Sequence, residues 1–329
     1  MKSDLDQLLN QHKADALWVT GPAQHNAPMV YLTGGGHMTQ ADAIKQRGKP
    51  IILCHAPMER EEAARTGLQT LNYNKFPLKE RLQLAEGDRL QAQALLYKQI
   101  FTEIGLTQGK ILVYGRSDVG KHFATLQRLA KMLPDLAFEG DLEDAVLLQA
   151  MATKDPDEIE RIREMGKTVV TVVSRVAAFL TSHQVLNDVL TKPDGTPLLI
   201  GDVKRKINLW LAESDAENPE DTIFAIGRDA GIPHSSGTPT DPLRLGQTIV
   251  FDIFPCEKGG GYFYDFTRTW CLGYAPEKVQ ALYDQVKTVY HQLVSELETG
   301  KNAALFQDRT CQLFESMGPV ETLGEPHPP

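Results

Sequence analysis

The chain is 329 residues long, which at roughly one to two hundred residues per domain argues for two domains, each able to bury its own core. Hydrophobic residues make up 42% and charged residues 23%, close to soluble globular averages, which excludes a disordered or fibrous chain. Lys plus Arg number 34 against 43 for Asp plus Glu, a net charge of −9 at pH 7, the wrong sign for holding nucleic acid through bulk charge.

The N-terminus, MKSDLDQLLNQHKADAL, carries acidic residues where a secretory signal needs an apolar run, so no export signal is visible. The longest apolar stretch, TVVTVVSRVAAFL, is broken by Ser174 and Arg175 and is too short to span a bilayer. Cys54, Cys256, Cys271 and Cys311 are scattered without CxxC spacing, which suggests neither a disulfide framework nor a zinc knuckle. A soluble cytoplasmic protein without nucleic-acid or membrane partners is expected.

From residue 1 to about 150, short runs (ALWVT, MVYLT, IILCH, ILVYG) alternate with polar helical stretches and predict an α/β domain with a largely buried sheet. Residues 151–329 read as a second domain. It opens with a long helix: Asp155 caps, Pro156 takes the first helical position and Glu158 completes a capping box. Ile159, Ile162, Val169, Val173, Val176 and Leu180 then form one apolar stripe. Between Ser182 and Pro219 lie a Pro-Asp-Gly-Thr-Pro turn and a short amphipathic helix around VKRKINLWLAE. DTIFAIG, QTIVFDIFP and GYFYDFTRTWCLG read as strands, the last two joined by the glycine run 259–261. Pro276 opens a helix with Val279, Leu282, Val286, Tyr290, Leu293 and Leu297 expected on its apolar face, and a last helix runs from about Ala303 to Met317. The tail after it has no periodicity and reads as loop.

Three features bear on chemistry. The run from Gly115 to His122, GRSDVGKH, lies between a strand and a helix, as a phosphate-binding loop would. Such a loop needs Ser or Thr after its lysine to hold magnesium, and His122 stands there; a tight strand-to-helix turn is the other reading. Asp252 shares a strand face with Val250 and Phe254, and Asp265 shares one with Phe263 and Thr267. A hairpin folded about Lys258 and Gly259 makes the two aspartates direct partners, with Cβ atoms about 5 Å apart. Such a like-charge pair calls for a divalent cation, or for a solvated hairpin with Arg268 or Lys258 as partner. His234 stands in a Gly/Pro/Ser-rich loop and reads either as a surface residue or as a functional one; the same holds for His55, His122 and His327.

The run IPHSSGTPTDPLRLGQTIVFDIFPCEKGGGYFYDFTRTWCLG resembles the core of the pita-bread metallopeptidases, the group containing Xaa-Pro aminopeptidases, prolidases and methionine aminopeptidases. LDQLLNQHKADALWVTGPAQHNAPMVYLTGG resembles the creatinase-type N-terminal domain of their two-domain members, and KDPDEIERIREMGK their domain-opening helix. The resemblance implies an α/β creatinase-type domain over 1–150 followed by an α+β pita-bread catalytic domain from 151. It implies two divalent ions (Mn, Co, Zn or Fe), with Asp265 bridging both and Asp252 chelating one. His234 would hydrogen-bond the scissile peptide or its tetrahedral intermediate, and Thr267 would support the bridging carboxylate. The implied reaction is hydrolysis of peptides with proline at P1′ by attack of a metal-bridging water, and a homodimer is expected.

Twelve residues separate the two aspartates, two more than the family's usual spacing, with the extra length in the turn from Cys256 to Gly261. The family completes its site with a histidine in an HGxGH-like segment and two glutamates. Nothing after Asp265 matches that segment: His327 lacks flanking glycines, and no motif places Glu315 or Glu325. Two carboxylates hold a transition ion poorly, so the expectation is the first half of a catalytic domain, in a fragment of a longer protein. Two other readings stand beside the peptidase: a non-catalytic pita-bread module that binds peptide or protein, and a creatinase-like hydrolase, against which the retained Asp pair weighs.

Overall fold

The structure, a computed structural model, describes residues 4–318. The chain divides into two compact units. The first holds the residues up to Lys167 together with Asp215–Glu217 and Pro255–Tyr264; the second holds Thr168–Ser214, Asn218–Phe254 and the chain from Asp265 onward.

The first unit is built on a six-stranded sheet of order β4-β3-β2-β1-β5-β6. Its strands are β1 (Ala16–Gly21), β2 (Ala41–Gln46), β3 (Ile51–His55), β4 (Gln69–Asn72), β5 (Gly109–Gly115) and β6 (Leu136–Gly140). Its helices are α1 (Leu5–Gln11), α2 (Ala27–Thr33), α3 (Arg60–Arg65), α4 (Leu78–Leu84), α5 (Arg89–Glu103), α6 (Val119–Met132) and α7 (Ala145–Ala152), followed by the start of α8 (Pro156–Thr181). The unbroken apolar run of β1 follows from helices on both sheet faces. Leu17 and Val19 enter one cluster with Met29 and Leu32 of α2 and Val146 of α7. Ala16 and Trp18 enter the other with Ile100 and Phe101 of α5 and Leu129 of α6. Trp18 Nε1 and the Tyr73 hydroxyl both donate to the buried Asp42, at 2.8 and 2.5 Å. Burial pushes the Asp42 carboxyl above its ordinary range against these bonds.

One expectation fails here. The run MVYLT is helix α2, and the strand between β1 and β3 is instead ADAIKQ. All five residues of MVYLT are buried, and a fully buried run shows no period by which to tell helix from strand. The local signals favour helix: Pro28 stands in its first turn, and Gly34 ends it at φ 80°. In α6 the Asp118 carboxylate accepts from the Lys121 amide at 2.9 Å, so GRSDVGKH forms the strand-to-helix turn, and the amide end that a phosphate would use already holds a carboxylate.

Beyond the start of α8 the elements are β7 (Gln184–Leu186), β8 (Val189–Thr191), α9 (Ile200–Ala212), β9 (Ala216–Glu217), β10 (Ile223–Ile226), β11 (Thr248–Ile253), β12 (Cys256–Glu257), β13 (Phe266–Cys271), α10 (Glu277–Glu296) and α11 (Ala304–Ser316). The Glu158 carboxylate accepts from the Asp155 amide at 2.8 Å, one of the two bonds of the expected capping box. In the second unit α8 buries Val169, Val173, Val176 and Leu180, and α9 buries Val203, Ile207 and Trp210. The hairpin β7–β8, absent from the sequence reading, turns on Asn187 and Asp188, both at positive φ (51° and 61°). In α10 the only fully buried side chain is Val289. Val286 and Tyr290, expected inward, are 47% and 60% exposed, so the inward stripe is turned by about one residue from the apolar one. Apolar residues alone did not define the covered face, because Gln285, Gln292 and Glu296 are half-buried on it. The tail from residue 319, including Glu325 and His327, lies outside the described residues.

The tip of the β12 hairpin belongs to the first unit. There β12 pairs with β9, and the Arg161 guanidinium donates twice to the Glu257 carboxylate, at 3.0 and 2.6 Å. Burial would raise the Glu257 pKa, but these bonds and the Tyr262 amide hold it below its ordinary value. A carboxylate with a depressed folded pKa stabilises the fold above its unfolded pKa, and this contribution disappears as pH falls through the depressed value. Glu257→Gln should therefore lower the denaturation midpoint at pH 7 and show a progressively smaller deficit as the pH is lowered to 3; equal midpoints at pH 7 would contradict the ion pair's role.

Candidate functional site

The second unit's central sheet has the order β10-β11-β13, with all pairs antiparallel. Ile249, Phe251 and Ile253 of β11 are buried on one face, where Phe251 meets Phe224 and Trp270 at ring distances of 5.4 and 5.5 Å. Strand alternation sends Val250 and Asp252 to the other face. That face floors a cleft of about 560 Å³, lined among others by Ile223, Val250, Phe254, Asp252, Asp265 and His234. The cleft thus brings together all three predicted polar groups that were to touch metal or substrate.

The pairing differs from the predicted one. Asp252 stands opposite Thr267, with Ile253 opposite Phe266, so Asp265 lies diagonally across from Asp252, just before β13 begins. At the hairpin tip Cys256 bridges Phe263, in the same register. The pivot is therefore between Gly259 and Gly260, both at positive φ (85° and 77°), rather than at Lys258 and Gly259. Moving a pivot by one residue shifts every pairing by two, which preserves the face. The carboxylates still meet, but across a diagonal. Thr267 uses the vacated opposite position: its hydroxyl donates to Asp252 Oδ1 at 2.6 Å, instead of to Asp265 as expected.

Asp252 is half-buried and Asp265 lies at the rim. Partial burial, the negative charge of Asp252 and a hydrogen bond between the two carboxyls together raise the Asp265 pKa. A cation relieves the repulsion between the two carboxylates, and hard carboxylate oxygens suit divalent ions. The pair fits two ligands of such an ion. Among the described residues no group of three or more His, Cys, Asp or Glu is arranged to hold one.

His234 is exposed and sits at φ 61°, a left-handed conformation uncommon for a residue with a side chain. The loop is forced back toward the sheet three residues later. A Cβ at Gly237 would lie 2.3 Å from the Phe224 carbonyl oxygen, so only glycine fits. Asp229, which the sequence reading did not single out, lines the same cleft; its signal was its place three residues past β10 and five before His234.

The family model of Metallopeptidase family M24 matches residues 160–325, half of the chain and all of the elements that build this cleft. The chain belongs to metallopeptidase family M24. No curated protein matches it. Among solved structures, this M24 chain is similar to the prolidase from Pyrococcus furiosus, with 17% identity, a TM-score of 0.68 and coverage of 95% of this chain and 78% of that one. It is similar to the Xaa-Pro dipeptidase from Bacillus anthracis, with 14% identity, a TM-score of 0.71 and coverage of 98% and 79%. The X-Pro aminopeptidase from Thermotoga maritima MSB8 gives 16% identity, a TM-score of 0.71 and coverage of 95% and 78%. At these identities the likeness establishes the fold: an α/β N-terminal domain followed by part of a pita-bread domain. No helix among the described residues is long and apolar enough to cross a membrane.

The geometry separates repulsion from support within the site. In metal-free protein, Asp265→Asn turns a like-charge contact into a donor facing the Asp252 carboxylate and should raise the unfolding temperature, whereas Thr267→Val removes a donor and should lower it. Calorimetry in the presence of a chelator checks both; a lower midpoint for Asp265→Asn would contradict the repulsion.

Proposed function

We propose that this M24 chain carries part of the site of a metal-dependent peptidase acting on bonds that precede proline, with Asp252 and Asp265 as two of the metal ligands. The observation that carries the reading is the meeting of these two carboxylates and His234 in one cleft, on a chain whose family model is that of a metallopeptidase. Divalent cations held there would supply Lewis acidity beside the substrate carbonyl and an acidified water.

The chain's own residues have separable tasks. Asp252, oriented by the Thr267 hydroxyl, and Asp265 hold positive charge at the cleft edge. The exposed His234 imidazole donates to the carbonyl oxygen as it gains charge. Ile223, Ala225, Val250 and Phe254 line the same cleft and offer an apolar surface to a ring such as that of proline. The reading carries with it two ions of Mn, Co, Zn or Fe, a creatinase-type domain over 1–150 and a pita-bread domain over 151–329. It also carries a cytoplasmic setting and a homodimer.

A second reading, a non-catalytic module that binds peptide in the cleft, is favoured by one observation: the described residues supply only the two carboxylates of a metal set. Hydrolysis separates the two. With Mn²⁺ added, the enzyme with its full ligand set should release proline from an Xaa-Pro dipeptide, and Asp252→Asn in it should reduce the rate by about a hundredfold or more, as expected for loss of a ligand. Unchanged turnover in the variant would overturn the assignment of Asp252, and saturable peptide binding without turnover in the wild type would establish the module.

A further inference from the structure

The second unit carries a cavity of about 570 Å³ that shares no lining residue with the Asp252–Asp265 cleft. It opens where the end of α8, the turn after β8 and one face of α9 meet. Asp202, Arg205, Lys206 and Leu209 of α9 line it. Arg205, Lys206 and Leu209 follow Asp202 at helical spacings that put all four on one helix face.

Two sets of contacts draw the polar groups together. On the first, Lys192 Nζ and the Arg205 guanidinium both donate to the Asp202 carboxylate, the lysine at 3.4 Å. On the second, Lys206 Nζ lies over the Phe179 ring, 5.9 Å from its centroid, and the His183 ring meets the same ring edge-on at 4.6 Å. His183 is pinned there. Its Nδ1 donates to the Phe179 carbonyl oxygen at 2.7 Å, because a carbonyl can only accept. The fully buried Leu198 and the 50% exposed Leu209 complete an apolar wall.

The charges select the ligand. Three cations line the cavity against two carboxylates, and both carboxylates are engaged locally. Asp202 accepts from the Leu199 amide at 3.0 Å as well as from the two cations. Asp194 Oδ1 accepts from the amide and hydroxyl of Thr196 at 2.9 and 2.6 Å. Among the described residues no carboxylate pairs with Lys206. The cavity therefore sets an ammonium that lacks a counter-ion beside an aromatic ring and two leucines. We propose that this cavity is a binding site for a small aromatic carboxylate, its ring against Phe179, Leu198 and Leu209 and its carboxylate paired with Lys206. A ring and a carboxylate in one molecule match the apolar wall and the unpaired cation together. The site stands whether or not the chain is a peptidase.

Phenylacetate, phenylacetamide and phenethylamine titrated into ¹⁵N-labelled full-length protein test it, with a chelator present so that no metal in the cleft takes the carboxylate. Phenylacetate should shift the amides of His183, Leu198 and Lys206 saturably, and with them the indole N–H of Trp210, whose ring meets Phe179 at 5.9 Å. A Kd in the millimolar range is expected for so small a ligand. Phenethylamine should bind about tenfold more weakly. Lys206→Met, at an exposed position, removes the charge and keeps an apolar stem; it should weaken phenylacetate about fivefold and leave phenylacetamide unchanged. Leu209→Gln should weaken both ligands. Absence of saturable shifts at these amides, equal binding of phenethylamine, or a Lys206→Met variant that binds phenylacetate like wild type would each overturn the site. Unchanged binding of both ligands to Leu209→Gln would overturn it as well.

Discussion

Two carboxylates held against each other at the edge of an apolar sheet are the constraint on which the second unit's chemistry depends. Left alone, the contact between Asp252 and Asp265 is unfavourable, as the raised pKa of Asp265 records. The fold maintains it through backbone pairing: β11 is fixed between β10 and β13, and its Ile249, Phe251 and Ile253 are locked into the buried face. A shift of one residue would expose those three side chains. The hydrophobic side of the strand thus dictates where its charged side points, and positive charge is what the opposite face lacks.

The same logic runs through the hairpin tip. Gly259 and Gly260 permit a pivot with two successive positive φ values, and the Arg161–Glu257 pair with the β9–β12 ladder anchors the tip within the first unit. Thr267 gains its position opposite Asp252 from that register. A hydroxyl there can turn a carboxylate oxygen without adding charge, which suits a ligand that must remain anionic.

What was legible in the sequence divides along physical lines. Strand alternation placed Asp252, Asp265 and Thr267 on one face, because a period of two survives any even register shift. The direct opposition of the aspartates was not legible, since the pivot of a glycine-rich turn depends on backbone conformations that three successive glycines leave open. The Asp155–Glu158 bond of the capping box was readable because both partners lie within four residues. MVYLT was misread because burial on all sides erases periodicity, and α10 because half-buried Gln285, Gln292 and Glu296 occupy its inward face. His234 could be named but not placed. Its left-handed backbone and its return to the cleft depend on the fit of Gly237 against Phe224, a contact across the fold that no local pattern encodes.

The central claim is that the Asp252–Asp265 contact exists to hold a divalent cation. Electron paramagnetic resonance of Mn²⁺ titrated into the metal-stripped protein tests it most directly, because free aqueous Mn²⁺ gives a sharp signal that is lost on binding. The account predicts saturable loss of that signal in the wild type, and its weakening by at least about tenfold in both Asp252→Asn and Asp265→Asn. Equal Mn²⁺ affinity in wild type and both variants would contradict it, and so would no binding in any of the three.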